Sequence, residues 1–292
     1  MSPVFDAVFH AGGLGSSDVA AIVGLSHFKG PWQVWLEKTN QAAPEPENEA
    51  MVLGHLLEPV VLELYAKRMG CKLMPGINVV SHKHPWRRAQ LDGEVDGAPT
   101  GLEVKTAGLL GYVRSGIWGD EGTDQIPQPY LCQAHWQMLI RTDWDRVHVP
   151  VLLAGRGLQV FSVERHFEFE RWLAGECDRW WLEHVVGKRP PEVDGSDECA
   201  RYLARIHPPK AAAEWLEATP EIDELALQLQ AVRDQRKALE AREDLGKNRL
   251  RSLIGDARGV RGEWGVATWG SNGKGGRRLT FKWSNDGEEE AA

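Results

Sequence analysis

The stretch from Cys71 to Lys105 constrains this chain most. It reads as three strand-like segments, "KLMPGINVVSH", "WRRAQLDGEVDG" and "GLEVKT", punctuated by Pro, Gly and Asp. In the last segment Leu102 and Val104 alternate with Glu103 and Lys105, the pattern of a half-buried strand with its charges outside. Helical periodicity flanks this meander. Before it, "MVLGHLLEPVVLELYAKRMG" places Leu53, Leu57, Val61, Leu64 and Tyr65 at three- and four-residue steps and stops at Gly70. Pro59 predicts a bend or a helical restart within that segment. After the meander, "PQPYLCQAHWQMLIRT" has helical spacing, and "WDRVHVPVLLAG" with "GLQVFSVER" predicts a hairpin. "HFEFERWLAGECDRWWLEHVVG" predicts one more helix. The order helix, meander, helix, hairpin, helix predicts an α/β core, a mixed central sheet covered by helices.

Two further regions frame this core. Near the start, Ser16 or Ser17 suits the N-cap of "DVAAIVGL", a short helix ending at Gly24, and Pro31 opens a second helix in "PWQVWLEKTN". Toward the end, "KRPPEVDGSDE" predicts a boundary between a domain over residues 1–190 and an extension over 191–292. The extension carries a helix over 221–254, in which Ile222, Leu225, Leu229, Val232 and Leu239 keep a seven-residue repeat that Leu250 and Leu253 resume. Arg236, Glu243 and Gly246 interrupt it, which predicts packing on the body or a partner rather than a long coiled coil. A basic, aromatic hairpin is predicted within 262–283, followed by an acidic tail.

Composition narrows the chemistry. The formal charge is −8, so nucleic acid cannot be gripped by the whole surface and needs local basic patches or a bound cation. The four cysteines are scattered with no CxxC pair, which disfavours zinc and iron–sulfur ligation. The first residues lack a basic start and no run of about 18 apolar residues occurs, so a cytoplasmic protein without a membrane span is expected.

Within the meander, Asp92 leaves one strand before a Gly turn and Glu103 sits on the next. These acids, with the Val104 carbonyl, can converge on one hard cation, Mg²⁺ or Mn²⁺. Lys105, two residues beyond Glu103, projects to the same sheet face, where an ammonium can act on water or phosphate. Asp96 competes with Asp92 for the metal role but reads better as a turn residue.

An Asp, ten intervening residues and Glu-x-Lys is similar to the PD-(D/E)xK nuclease signature. "GLGSSDVAAIVGLS", "GHLLEPVVLELY", "LDGEVDG…LEVKT" and "YLCQAHWQM", in that order, narrow the match. Over about residues 9 to 185 the chain resembles the YqaJ-like viral recombinase family, relatives of phage lambda exonuclease. The resemblance implies a restriction-endonuclease-like core. It also implies that Glu58, Asp92 and Glu103 hold Mg²⁺, that Lys105 is the catalytic lysine, and that Gln133 approaches the site from the following helix. His135 and Gln137 follow Gln133; His135 reads as a surface helical histidine, with a general-base role as its alternative. Ser17, beside Ser16, aligns with a serine that receives a terminal 5′-phosphate. His10 stands where lambda exonuclease has an arginine, which weakens any demand for that phosphate. Arg87 and Arg88, beside Trp86, are candidates for DNA-backbone contacts, with a plainly solvated pair as the equal alternative.

By resemblance the chain would resect linear double-stranded DNA from 5′ to 3′ and hand the exposed strand to a single-strand annealing protein. It would work in the cytoplasm of a phage's bacterial host, and as a homo-oligomer. Two alternatives stand beside this reading: an endonuclease with the same core, and a catalytically silent DNA-binding phage protein. For the basic, aromatic extension, DNA binding, an oligomer contact and plain packing all remain open.

Overall fold

The computed structural model describes residues 7–26, 29–42, 49–107, 118–153, 157–209, 215–271 and 276–284. The chain divides into two compact units, Met1–Pro208 and Pro209–Ala292. In the first, three short helices, α1 (Ala7–Ala11), α2 (Val19–Ile22) and α3 (Pro31–Lys38), lead into the long α4 (Glu49–Met69). The meander forms β1 (Leu73–Pro75), β2 (Asn78–Val80), β3 (Arg88–Gln90), β4 (Gly93–Val95), β5 (Thr100–Leu102) and β6 (Lys105–Ala107). Then come α5 (Gln128–Ile140), β7 (Arg146–Leu153), β8 (Gly157–Glu164), α6 (Phe167–Trp180), a π-helical turn over Trp181–Val186, and α7 (Asp197–Ile206).

The central sheet is mixed. β1, β4 and β5 pair antiparallel in sequence, β5 and β6 both lie parallel to β7, and β8 returns antiparallel on the other side of β7. β5 and β6 share one register on β7, with Thr100 opposite Arg146 and Lys105 opposite Val151. The gap between them has a local cause. Glu103 N–H donates to the His148 carbonyl at 3.0 Å. The next bond of a parallel ladder would come from residue 150 back to Glu103, and Pro150 has no N–H to give. The strand is therefore interrupted at Glu103 and Val104, where the sequence places its chemistry.

Helices cover both faces, so the alternation in "GLEVKT" does not mark a solvated side. On one face Leu102 and Val160 pack with Tyr65 of α4. On the other, Ala134 and Met138 of α5 pack on Val147, Val149, Val151 and Phe161. The far side of α5, through Cys132 and Trp136, meets a third layer built from α2, α3 and α6. That layer holds Trp32, Trp35, Leu173 and Trp180 in one cluster. α4 runs unbroken through Pro59, so the expected restart is absent. Its apolar residues divide differently from the expected stripe: Val61 and Tyr65 are buried, whereas Leu53 and Leu64 are exposed.

The first unit extends past residue 190. The Trp32 indole donates to the Glu192 carbonyl at 2.7 Å, and Tyr202 of α7 packs on Trp32 and Trp35 with ring centroids 5.1 and 5.2 Å away. The second unit comprises α8 (Pro220–Ile254) and an antiparallel sheet of β9 (Gly259–Gly262), β10 (Gly265–Ser271) and β11 (Arg277–Trp283). Thr219 caps α8 by accepting the Ile222 N–H, and Pro220 occupies its first turn. β10 and β11 are the expected hairpin; β9 is a third strand that the sequence pattern does not announce.

Candidate active site

The interrupted strand gathers the chemistry. Asp92, at the end of the turn between β3 and β4, accepts the Val104 N–H on Oδ2 at 2.7 Å. That bond holds the Asp92 carboxyl at the break between β5 and β6. Glu103 is 2% exposed, with Lys105 Nζ donating to its Oε1 and Gln137 Nε2 to its Oε2. Lys105 also lies over the Tyr130 ring, 5.0 Å from its centroid. Tyr130, Gln133 and Gln137 recur at three- and four-residue steps on α5, so one helix face serves the site.

Electrostatics tie the acids together. Burial raises the Asp92 carboxyl well above the usual carboxylate range; the negative charges of Glu103 and Glu58 add to this, against Lys105 and the Val104 N–H. Burial alone would lower the Lys105 ammonium, but Glu103 and Asp92 outweigh it and hold it above its ordinary value. Lys105 is therefore charged at neutral pH. Glu58, from α4, is close enough for Asp92 to feel its charge.

The donor set suits a hard divalent cation: carboxylates that raise one another's proton affinity are relieved by positive charge. Among the described residues, no three His, Cys, Asp or Glu side chains are grouped to hold a metal ion. Both Glu103 oxygens are occupied, one by Lys105, whose ammonium stands where positive charge is needed. Asp92 and Glu103 would be the ligands, which is enough for an ion that completes its shell with water and phosphate.

Beside Lys105 opens a cleft of about 410 Å³ lined by Ser17, Lys29, Gln33, Tyr130 and Gln133 among others. Gln133 is thus beside Lys105, but the glutamine bonded to Glu103 is Gln137, one turn on. The four-residue spacing was the available signal.

Several expectations need correction. Neither serine caps α2: Asp18 takes the N-cap position, and its carboxylate accepts the Gly15 N–H at 2.8 Å. Ser16 is buried, while Ser17 is exposed in the cleft. The His10 ring is driven toward its neutral form, by burial first and then by Lys38, so it offers no charge to a phosphate. Arg87 forms a two-pronged pair with Asp178, which also accepts from the Trp86 indole at 2.8 Å. Arg88 donates to the Pro85 and Phe9 carbonyls and stacks on Phe9. Both guanidinium groups are thus engaged within the fold. His135 is not on the surface: it is 6% exposed, packs on Phe169 and lies 3.7 Å from Glu170, away from Glu103. Asp96 is an exposed turn residue, as its sequence reads.

In the second unit Trp269 is flanked by cations, with the Arg277 and Arg251 guanidinium groups 4.9 and 5.5 Å from its ring centroid, while the other aromatics group together. Trp264, Phe281 and Trp283 cluster, with Phe281 and Trp283 stacked at 5.1 Å. Arg261 and Lys282 lie in register with Val266 on the opposite sheet face. Arg277 is spent on the Gly255, Ala257 and Trp269 carbonyls. Lys274 falls outside the described residues.

A mixed sheet flanked by helices, with acids and a lysine at a strand break, defines an exonuclease-like α/β fold. The alkaline exonuclease LHK-Exo from Laribacter hongkongensis superposes with a TM-score of 0.51 at 15% identity, over 68% of this chain and 97% of that one. The structure of LHK-Exo in complex with dAMP gives 0.50 at 17% identity, over 68% and 95%. Residues 8–144 match the family model of the YqaJ-like viral recombinase domain. The uncharacterized protein YqaJ of Bacillus subtilis (strain 168) is 26% identical over 248 residues, 84% of this chain and 76% of that protein. Among the described residues no helix is long and apolar enough to cross a membrane.

Proposed function

We propose that this chain is a phage-type deoxyribonuclease that hydrolyses linear double-stranded DNA from its ends, from 5′ to 3′. The observation that carries this is the Glu103 carboxylate, buried at a strand break between Lys105 and Gln137, with Asp92 bonded to the adjoining Val104 amide. The match to the YqaJ-like viral recombinase family model and the likeness in fold to an alkaline exonuclease support it.

Each residue has a distinct task. Asp92 and Glu103 would hold Mg²⁺, with Glu58 adding negative charge from α4; the ion would supply charge neutralisation at the phosphate and a more acidic bound water. Glu103 and Asp92 hold the Lys105 ammonium in its charged form. It donates, to the scissile phosphate or to the attacking water, and so stabilises charge that grows on the pentacoordinate phosphorus. Gln137 fixes the Glu103 carboxylate, and Gln133 with Tyr130 shapes the approach beside Lys105. A resected 3′ strand is the natural substrate of a single-strand annealing protein, the partner this reading calls for.

The test is digestion of duplex DNA labelled at its 5′ or its 3′ end, with and without Mg²⁺ or Mn²⁺, beside closed circular DNA. Metal-dependent early release of the 5′ label with the circle intact is expected. Cutting of the circle makes the protein an endonuclease. Folded protein that cuts nothing overturns the proposal.

A further inference from the structure

The long helix of the second unit carries an exposed apolar seam. α8 spans 35 residues, about 50 Å of helix at 1.5 Å per residue. Ile222, Leu225, Leu229, Val232, Leu239 and Leu253 are 42–84% exposed, and all fall on the first or fourth position of one heptad frame. Single exposed leucines are ordinary, but a continuous stripe of them marks an interaction surface. The same frame places Arg236, Glu243 and Gly246 on the seam, and these three residues decide what can cover it.

We propose that α8 pairs with α8 of a second copy of this chain, antiparallel, about a two-fold axis passing between residues 237 and 238. In that register Ile222 meets Leu253 of the second copy, Leu225 meets Leu250, and Leu229 projects over Gly246, which has no side chain to oppose it. Val232 lies beside Glu243 and Arg236 beside Leu239, so neither charge faces its own kind, and both long side chains reach water at the seam edge. The flanking positions agree. Arg233 faces Glu240 of the second copy, and the two-fold makes this attraction twice; Gln228 faces Arg249, Gln235 faces Arg242, and Ala226 faces Lys247.

The parallel alternative fails on the same residues. It sets Arg236 against Arg236 and Glu243 against Glu243 within the seam, and Arg242 against Lys247 twice along its flanks. Charge complementarity therefore selects the occupant and its direction. The interface is isologous, as a two-fold requires, and it does not depend on the nuclease reading.

The test uses the full chain. Light scattering across a concentration series should give twice the 32.6 kDa chain mass, or an even multiple of it. Leu229→Asp combined with Val232→Asp, both at exposed positions, should halve that mass with an unchanged circular dichroism spectrum. Arg233→Glu should weaken association about tenfold, and adding Glu240→Arg should restore it. Leu229→Cys and Gly246→Cys proteins, oxidised separately and mixed, should cross-link only when mixed, with the parent protein reporting any background from Cys71. A monomer at every concentration, an oligomer indifferent to these substitutions, or cross-linking of Leu229→Cys to itself would each overturn the proposal.

Discussion

Gln137 and Glu103 form a buried pair in which the side-chain amide donates to one carboxylate oxygen while Lys105 holds the other. Gln137 has no exposed surface; its Nε2 is used on Glu103, while its Oε1 is without a partner among the described residues. The pair ties the middle helix layer to the strand break and sets the direction in which Glu103 points.

This makes Gln137, rather than Gln133, the glutamine whose loss should be felt most. Gln137→Leu keeps the volume and removes the donor, and partners of this kind are worth about 10–100-fold in activity when lost. Initial rates on linear duplex should fall by that factor while the melting temperature moves little. Gln133→Leu, at the cleft wall, should raise KM for DNA more than it lowers turnover. Equal effects from both would count against the assignment.

Lys105 supplies the positive charge among Asp92, Glu103 and Glu58, so Lys105→Met should act on chemistry and stability together. Cutting should fall by about 10²-fold or more, the range for a positioned proton donor. Thermal stability should also fall, because Glu103 keeps its burial and loses its counter-charge. Added Mg²⁺ should then raise the melting temperature of this variant more than that of the parent, since the cation replaces the missing ammonium. Asp92→Asn introduced into either background should abolish the Mg²⁺ increment. A melting series against Mg²⁺ concentration decides it.

Much of this site was legible in the sequence. Asp92, Glu103 and Lys105 followed from hard-acid chemistry and two-residue strand spacing, and the helical spacing of Tyr130, Gln133 and Gln137 marks one face of α5. The burial of Glu103 was not legible. Local alternation reports one strand's pattern, and only the packing of α5 over the sheet shows that the polar face is covered as well. The arginines failed for a related reason: adjacent Arg87 and Arg88 look solvated until Asp178, 91 residues away from Arg87, closes on one of them. β9 escaped because Gly259–Gly262 has two glycines and one apolar residue, and becomes a strand only by pairing with β10.

Asp18 should shape the acid limb of the stability curve. It is 2% exposed, and Lys29 and Lys38 each lie 2.7 Å from its carboxylate. Burial alone would raise this carboxyl, but the two lysines outweigh it and hold it far below the usual range. A depressed carboxyl contributes stability that is fully present above its unfolded pKa, about 3.9, and lost as pH falls toward the folded value. Melting temperature should therefore drop as pH falls below about 4, and Asp18→Asn should flatten that drop. The same variant should cost about 3–5 kcal/mol at pH 7, because the buried Lys38 loses its carboxylate and Lys29 keeps only Glu37 among the described residues. An unchanged acid limb in Asp18→Asn would show that other carboxylates set it.

Gly101 should be intolerant of any side chain. A Cβ there would come 2.0 Å from the Trp144 ring. That ring cannot retreat: it is 1% exposed, its indole donates to Glu94 at 3.0 Å, and the Arg141 guanidinium lies 4.6 Å above it. Gly101→Ala must therefore move β5 itself, at a cost of about 1–3 kcal/mol for overpacking. Because Glu103 directly follows β5, the shift carries the carboxylate away from Gln137, and activity should fall further than stability does. Trp144→Leu alone should also destabilise, by the cavity it leaves. Combined with Gly101→Ala, however, it makes room for the new methyl, so the double variant should be more stable than the two single losses added together. Urea unfolding of the four proteins gives that coupling, and strict additivity would show that the strand finds room without disturbing Trp144.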